Sequence, residues 1–207
     1  MSPPRIATVV ALLLAPIAIA TAEGSAEPAA ERAPAAAPRV VLETDLGELE
    51  LELDAARAPA TVRNFLRYVE AGRYDGGRFH RTVRADNQPR DRVRIAVVQA
   101  GVAPEREREG FPPVALERTG RTGLRHRDGA VSMARAGPDT ATSDFFVCVG
   151  DQPELDEGGR RNPDGQGFAA FGRVVRGMDV VRRIHAAAAE KQALMPPVKI
   201  RSARRVR

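Results

Sequence analysis

The chain has 207 residues, of which 43% are hydrophobic, so it is long enough for one domain with a substantial core. Its aromatic residues are seven Phe and two Tyr, with no Trp, which predicts a mainly aliphatic core. The net charge of +5 would suit a nucleic-acid partner, but the arginines alternate with acids, as in residues 105–109, and no recognition motif accompanies them. We therefore expect no nucleic acid to be bound.

The N-terminal residues have the pattern of a secretory signal peptide. Arg5 precedes an apolar run that ends in the small-residue patterns Ala18-Ile19-Ala20 and Ala20-Thr21-Ala22. Residues 1–22 are therefore predicted to be a signal peptide, residues 23–38 an Ala/Pro-rich flexible linker and residues 39–207 the folded domain. The protein is expected to be exported, either periplasmic or secreted. The alternative is an uncleaved membrane anchor, although Pro16 interrupts the run.

The folded part opens with the pattern of a hairpin followed by a helix. Residues 40–44 and 48–53 flank the turn Asp45-Leu46-Gly47, and in the second segment leucines alternate with glutamates. This alternation predicts an antiparallel hairpin with one solvated face. Pro59 then precedes apolar residues at helical spacing, which end at Gly72 and predict a helix.

The next segment predicts two strands separated by a polar excursion. Residues 74–83 carry Phe79-His80-Arg81, and residues 95–99 form a second apolar run. Residues 84–94 between them are polar and contain Pro89, which indicates an exposed excursion. Residues 103–127 are charged and rich in glycine and proline, so we assign them to loops and turns.

Residues 129–149 have strand patterns at both ends and a small-residue loop between. Around Phe145 the alternation places Asp144, Phe146 and Cys148 on one face and Phe145 and Val147 on the other. The second face is assigned to the core. Cys148 is the single cysteine of the sequence, so no intramolecular disulfide forms, and it is interpreted as a small buried or half-buried side chain.

The C-terminal third completes the pattern of a barrel. Residues 156–167 are rich in turn-forming residues, and residues 168–175 are predicted to form a strand with Phe171 and Val175 buried. A helix is predicted to begin at Met178, and residues 198–206 are predicted to form a closing strand. About eight short strands with one early and one late helix favour a mainly β fold, an eight-stranded antiparallel closed barrel capped by two helices.

The histidines give no indication of a metal site or a hydrolase. His80, His126 and His185 are far apart in the sequence and in no ligand spacing. We also find no Ser–His–acid constellation. No metal and no cofactor are therefore expected.

Several motifs occur in one order along residues 40–204. They are residues 48–69, Tyr74 with Phe79-His80-Arg81, Gln99-x-Gly101, residues 133–138, Ser143-x-Phe145-Phe146, Leu155-Asp156 and residues 171–179. In this order the chain resembles the cyclophilin-type peptidyl-prolyl cis-trans isomerases, most of all their bacterial periplasmic members. The resemblance implies the same closed barrel and an enzyme that accelerates rotation about X–Pro bonds during the folding of exported proteins.

The resemblance also assigns roles to residues. It implies that the Arg81 guanidinium faces the prolyl nitrogen, that Gln99 orients it, and that Phe146 forms the floor of a proline pocket. Further substrate-binding positions implied by the resemblance are the pocket residues Ala96, Val97, Leu155 and Phe168, the groove residues Met133, Ala134, Arg135 and Ala136, and the active-face residue Asp144. Met133 fits the core equally well.

Some positions depart from the family pattern. Ala96 and Val97 stand where members usually have phenylalanine and methionine, so less of a proline ring would be buried. Glu154 replaces a tryptophan, which implies poor cyclosporin binding. Asp144 replaces a glutamine and can pair with Arg81, which would either orient the guanidinium or compete with the substrate for it. Arg135 replaces an asparagine and adds positive charge to the groove. Residues 84–94 are an insertion beside the site.

These departures leave a second hypothesis open: a catalytically weak module of the same fold that binds proline-containing segments or an envelope partner. In both hypotheses the partners are proline-containing segments of unfolded or exported proteins. A membrane is contacted only through an uncleaved N-terminal segment, and the protein is expected to be a monomer.

Overall fold

The computed structural model describes residues 36–206. The predicted signal peptide, residues 1–22, and residues 23–35 of the predicted linker lie outside the described residues. The described chain contains the strands β1 Arg39–Thr44, β2 Gly47–Leu53, β3 Arg78–Val83, β4 Val97–Gly101, β5 Ala130–Met133, β6 Phe145–Cys148, β7 Ala169–Arg176, β8 Ala189–Glu190 and β9 Ala193–Val206. Its α-helices are α1 Pro59–Glu70, the single turn α2 Thr119–Thr122 and α3 Met178–Ala186, and short 3-10 helices span Ala85–Asn87, Pro104–Glu109 and Pro153–Leu155.

The strands form a closed antiparallel barrel. Their order is β1-β2-β7-β5-β6-β4-β3-β9, and pairing of β1 with β9 closes the ring of eight. The two-residue strand β8 extends β9 as a hairpin. The predicted mainly β fold, with eight barrel strands and two capping helices, is confirmed. Closure removes the exposed strand edges that an open sheet of this size would carry.

The N-terminal hairpin follows the alternation of its sequence. Leu49, Leu51 and Leu53 are fully buried, because the period of two places all three on the inner face. Glu52 on the outer face is hydrogen-bonded to Arg39 and Arg173 across the neighbouring strands. The solvated face of this hairpin is thus a network of exposed ion pairs.

The two longer helices close the ends of the barrel with apolar faces. Pro59 begins α1, and Phe65 of this helix lies within 5.3 Å, between ring centroids, of Tyr74, Phe145 and Phe171. In α3 the buried residues are Val180, Val181 and Ile184. Both helices were predicted from the spacing of these side chains.

Some strand boundaries differ from the predicted ones. β3 begins at Arg78 rather than at residue 74, because Tyr74 lies in a buried turn and its hydroxyl donates to the Ser143 carbonyl oxygen over 2.6 Å. β4 begins at Val97 rather than at residue 95, β7 begins at Ala169 rather than at residue 168, and β9 begins at Ala193, before the predicted residue 198.

The prediction that Val175 is buried was wrong, because 38% of this residue is exposed. A β-bulge explains the difference: Ser132 of β5 pairs with Ala170, whereas the preceding residue, Val131, pairs with Gly172, so Phe171 is an extra residue. The alternation changes phase there, and Val174 instead of Val175 packs against the core.

The excursion of residues 84–94 is less exposed than predicted at one position. Gln88 is buried, and its Nε2 donates to the carbonyl oxygens of Arg84 and Ile95, each over 2.7 Å. The Gln88 side chain therefore links the two ends of the excursion. Within residues 36–206, no helix combines the length and apolarity needed to cross a membrane.

Candidate active site

A β-bulge in β3 determines where Arg81 lies. Phe79 pairs with Ala100 of β4, but Arg81 pairs with the next residue, Gln99, so His80 is the extra residue. Without the bulge, Arg81 would share the inner face of the barrel with Phe79, which is fully buried in the core. The bulge places Arg81 and Gln99 side by side on the outer face of the two strands.

The Arg81 guanidinium is held by two side-chain amides. Its Nη1 donates to Gln99 Oε1 over 3.0 Å, and its Nε and Nη2 donate to Gln192 Oε1 over 2.9 and 2.6 Å. Burial, with the charge of Arg161 adding to it and that of Asp91 opposing it, lowers the pKa of the Arg81 guanidinium. An arginine nevertheless stays protonated in a protein, so this is a partly desolvated, fixed positive charge.

Asp144 acts on Arg81 through Gln99. Gln99 Nε2 donates to Asp144 Oδ2 over 3.0 Å, and His80 Nε2 lies 3.6 Å from the same oxygen. Gly101 leaves the space for this carboxylate, since a Cβ there would overlap with Asp144 Oδ1. The direct pairing of Asp144 with Arg81 that the sequence allowed is therefore replaced by a chain of hydrogen bonds through the glutamine.

A second apolar cluster, separate from the barrel core, lies beside Arg81. Phe146 of β6 is its central side chain, with Phe168 in a T-shaped contact at 5.3 Å between ring centroids. Val97 and Leu155 belong to the same cluster. The predicted division of β6 is confirmed, because Phe145 packs into the barrel core and Phe146 faces this outer cluster.

Arg81 and this cluster line one open cavity of about 540 Å3. Ten of the twelve predicted site residues line it, namely Arg81, Val97, Gln99, Ala134, Arg135, Ala136, Asp144, Phe146, Leu155 and Phe168. Ile95, Thr140, Thr142, Arg161 and Asn162 line it as well and were not predicted. Residues 84–94 do not line the cavity, so the insertion does not fill it. A wider groove beside β9 and the end of α1 contains none of the predicted residues.

Met133 and Ala96 do not line the cavity, in contrast to their predicted positions. Met133 pairs with Phe145 and, like it, points into the barrel core, where it is 1% exposed. Ala96 precedes β4 and does not belong to the apolar cluster around Phe146. The apolar contact expected from Ala96 is provided by Ile95.

Three comparisons with known proteins agree on one family. The family model described as "Cyclophilin type peptidyl-prolyl cis-trans isomerase/CLD" matches residues 39–205. Peptidyl-prolyl cis-trans isomerase A of Dickeya dadantii is 39% identical over 148 residues, covering 70% of this chain and 70% of the relative. A Streptomyces antibioticus isomerase is also 39% identical, over 147 residues, covering 70% of this chain and 81% of its own. The chain belongs to the cyclophilin family.

Solved structures of relatives show the same fold. A cyclophilin-type isomerase of Cryptosporidium parvum superposes with a TM-score of 0.65 at 20% identity, covering 83% of this chain and 98% of its own. A second structure of that protein, in the presence of the dipeptide Ala-Pro, superposes with a TM-score of 0.62 at 20% identity, covering 80% and 96% of the two chains. Family membership and the curated relatives make this cyclophilin a peptidyl-prolyl cis-trans isomerase.

Arg135 of this cyclophilin does not add free positive charge to the groove, as its sequence position suggested. Its side chain is 2% exposed and forms two hydrogen bonds with the Asp164 carboxylate, at 2.8 and 3.0 Å. It also donates to the Gly167 carbonyl oxygen and lies 5.2 Å from the centroid of the Phe168 ring. Its charge is thus compensated, and it fixes the turn-rich loop that carries Phe168.

The structure contains a Ser–His–acid arrangement that sequence analysis missed. His126 Nδ1 lies 2.7 Å from Asp156 Oδ1, and its Nε2 lies 2.9 Å from Ser132 Oγ. Ser132 is fully buried and His126 is 2% exposed, so no substrate reaches the hydroxyl. The His126 ring instead stacks on Phe146, with 5.9 Å between centroids and 15° between planes. The arrangement therefore supports the floor of the cavity.

Of two further residues near the site, Cys148 was described correctly from the sequence and Gln192 was missed. Cys148 is fully buried, as predicted, and burial raises the pKa of its thiol well above the usual value, so the reactive thiolate is suppressed. Gln192 was not singled out at all. It lies in the β8–β9 turn, more than 100 residues from Arg81 along the chain, and only the closure of the barrel brings the two together.

Proposed function

We propose that this cyclophilin accelerates X–Pro isomerisation during the folding of exported proteins, with Arg81 as the catalytic group and Gln99 beside it. The observation that carries the proposal is a fixed guanidinium on the wall of an open cavity with an apolar floor. Arg81 is held by Gln99 and Gln192, and Phe146 lies in the same cavity. A proline ring resting on Phe146 would bring its nitrogen within range of this charge.

The chemistry requires no covalent step and no proton transfer. Conjugation of the C–N bond imposes a rotational barrier of about 18–20 kcal/mol. Rotation breaks that conjugation and localises the lone pair on the prolyl nitrogen, which then accepts a hydrogen bond from a cation. Since the planar amide offers no such lone pair, Arg81 would bind the transition state more strongly than the ground state.

The remaining residues of the cavity would hold the substrate. Phe146, Phe168, Leu155 and Val97 supply the apolar surface for the proline ring. The loop residues 134–136 supply the groove for neighbouring substrate residues. The solved structure of a relative determined in the presence of Ala-Pro supports a proline-containing ligand for this family.

The test of catalysis is the exchange rate of a short X–Pro peptide, measured by NMR exchange spectroscopy with and without purified protein. The Arg81→Ala variant is expected to lose about 100-fold in kcat/KM, the scale of removing one preorganised stabilising group. Arg78→Ala is the matched control, because Arg78 lies on the same strand but does not line the cavity. An Arg81→Ala protein as active as the control would refute the assignment.

The same experiment decides between this proposal and the second hypothesis, a catalytically weak binding module. The observation that favours the module is Val97, which offers a proline ring less surface than methionine would. A module would bind the peptide, seen as shifted peptide resonances, without accelerating its exchange above the uncatalysed rate of tens to hundreds of seconds.

Export is supported by the sequence of residues 1–22. Residues 1–38 fused to a phosphatase that is active only in an oxidising compartment should give active, processed reporter. A fusion in which Leu13 and Leu14 are both replaced by Arg is the control, because a charged run no longer resembles a signal sequence. Activity that stays in the cytoplasm with the native leader would contradict export, and an unprocessed membrane-bound fusion would indicate the anchor instead.

A further inference from the structure

The tightest contacts of the Arg81 guanidinium are made outside the residues that the family resemblance implies. Gln192 Oε1 accepts from both Nε and Nη2 of Arg81, over 2.9 and 2.6 Å, whereas Gln99 accepts from Nη1 alone over 3.0 Å. Gln192 therefore fixes the edge of the guanidinium that is closest to the arginine backbone. Of the five N–H groups of the guanidinium, one on Nη1 and one on Nη2 then remain for the substrate.

Gln192 is itself fixed at both ends. Its backbone carbonyl oxygen accepts from the Thr82 amide nitrogen over 2.9 Å, and its side-chain Nε2 donates to the Asn87 carbonyl oxygen over 3.2 Å. Because Nε2 needs an acceptor and Oε1 needs a donor, only one orientation of the amide satisfies both Asn87 and Arg81. That orientation places the oxygen against Arg81.

The insertion holds the turn on which Gln192 lies. Asn87 of the insertion donates through Nδ2 to the carbonyl oxygens of Lys191 and Thr82, over 2.9 and 3.0 Å. Lys191 has a φ of 56°, a left-handed conformation that is unfavourable for a residue with a side chain. The Asn87 bond therefore stabilises a strained turn, and it ties this turn to β3 next to Arg81.

We propose that Gln192 is a positioning residue for Arg81, and that the insertion of residues 84–94 keeps Gln192 in place. An arginine side chain has four rotatable bonds, and without the Gln192 acceptor its guanidinium would occupy several rotamers, of which a fraction faces the prolyl nitrogen. The inference rests on the proposed role of Arg81. None of the residues of the insertion lines the cavity, so its role in catalysis is an indirect one, through Gln192.

The test compares two variants at position 192. Gln192→Met keeps the length of the side chain but removes the acceptor of the Arg81 guanidinium. It should lower kcat about tenfold, because hydrogen bonds to a charged group are lost. KM should stay within twofold of the wild type, because the apolar floor of the cavity is intact. Gln192→Glu restores an acceptor oxygen and should keep kcat within threefold of the wild type. Gln166→Met is the matched control, because Gln166 accepts from Arg118 in the same way but does not line the cavity.

A second measurement is independent of activity. The Arg81 Nε–Hε resonance in a ¹H–¹⁵N spectrum should be slowly exchanging in the wild type and in Gln192→Glu, and lost to solvent exchange in Gln192→Met. If Arg81→Ala retained activity, the proposed catalytic role of Arg81 would be refuted, but the Nε–Hε resonance of the wild type would still report the contact between Arg81 and Gln192. The positioning role would be overturned if Gln192→Met kept the wild-type kcat, if its loss were confined to KM, or if its Nε–Hε resonance were unchanged. Equal losses of activity in Gln192→Met and Gln192→Glu would also overturn it.

Discussion

Gln99 bridges Asp144 and Arg81, because its Nε2 donates to the Asp144 carboxylate over 3.0 Å while its Oε1 accepts from Arg81. A glutamine amide has one donor end and one acceptor end, and the carboxylate of Asp144 can only accept when it is ionised. The acid therefore fixes which end of Gln99 faces the guanidinium. An acidic residue near the active face strengthens the proposed catalytic arrangement here rather than competing for the arginine.

The first prediction concerns this bridge. Asp144→Leu removes the acceptor and leaves Gln99 Nε2 without its partner, so kcat/KM should fall about fivefold, equivalent to about 1 kcal/mol. Asp144→Gln keeps an acceptor oxygen and should stay within twofold of the wild type. Exchange NMR on an X–Pro peptide measures both. Full activity in Asp144→Leu would show that Gln99 holds its orientation without the acid.

The second prediction concerns the reduced apolar surface at Val97. Val97 belongs to the same apolar cluster as Phe146 and lines the cavity. Val97→Met would add roughly 40 Å2 of contact to a bound proline ring, or about 1 kcal/mol at 25 cal/mol per Å2. We expect KM to fall about fivefold, with kcat unchanged.

The control for this variant is Val98→Met, because Val98 lies on the inner face of the same strand. Added volume there should lower the free energy of unfolding and leave KM unchanged. An unchanged or higher KM in Val97→Met, in a protein as stable as the wild type, would mean that the cavity is already filled to the size of its ligand.

The sequence was informative wherever alternation or helical spacing was regular. The leucines of β2, the two faces of β6 and the apolar stripe of α3 follow directly from those periods. It failed where one inserted residue changes the phase, as between Phe171 and Val175. The bulge at His80 has the same effect on Arg81, whose position outside the core was implied by family resemblance and contradicts strict alternation.

The remaining site residues depend on contacts between distant segments. His126 and Asp156 are 30 residues apart, and Arg81 and Gln192 are 111 apart, so no local pattern links them. A lone glutamine in a turn and a lone histidine in a charged loop have many ordinary explanations. Only the three-dimensional pairing of donors with acceptors identifies them, because a hydrogen bond is a property of both partners.

The third prediction concerns the pKa of Asp164. Hydrogen bonding to Arg135, with smaller contributions from the Gln166 amide and nearby charge opposed by burial, lowers the pKa of this carboxyl to about 2. Since the folded pKa lies below the unfolded value near 3.8, this ion pair is intact above that value and is lost as the pH falls through about 2.

Arg135→Gln should therefore raise the pKa of Asp164 from about 2 toward 3.8 in a ¹³C-carboxyl NMR titration, with the Gln166 amide still lowering it. Glu154 is the internal control, because its pKa is lowered by hydrogen bonds from Arg160 and should not respond. The Phe168 resonances should broaden in the same variant, since Arg135 fixes the loop beside this ring. A pKa that stays near 2 would show that other groups determine it.

The fourth prediction concerns the support beneath Phe146. Burial raises the pKa of Asp156, but the hydrogen bonds from the His126 side chain and backbone, together with the charge of Arg125, outweigh it, so that the net pKa is lowered. A lowered folded pKa means that the carboxylate stabilises the fold fully above the unfolded pKa near 3.8, and that this contribution is lost as the pH falls through the folded value.

Asp156→Asn keeps an acceptor oxygen but removes the charge that strengthens both hydrogen bonds from His126, so it should lower the free energy of unfolding at pH 7 by about 1–2 kcal/mol. Urea denaturation at pH 7 and at pH 3 should show that the difference from the wild type narrows in acid. Asp179→Asn, which removes an exposed carboxylate paired with Arg183 on α3, should change little at either pH. Because His126 stacks on Phe146, Asp156→Asn should also raise KM. An unaltered KM would show that the His126–Asp156 contact stabilises the fold without determining the shape of the cavity floor.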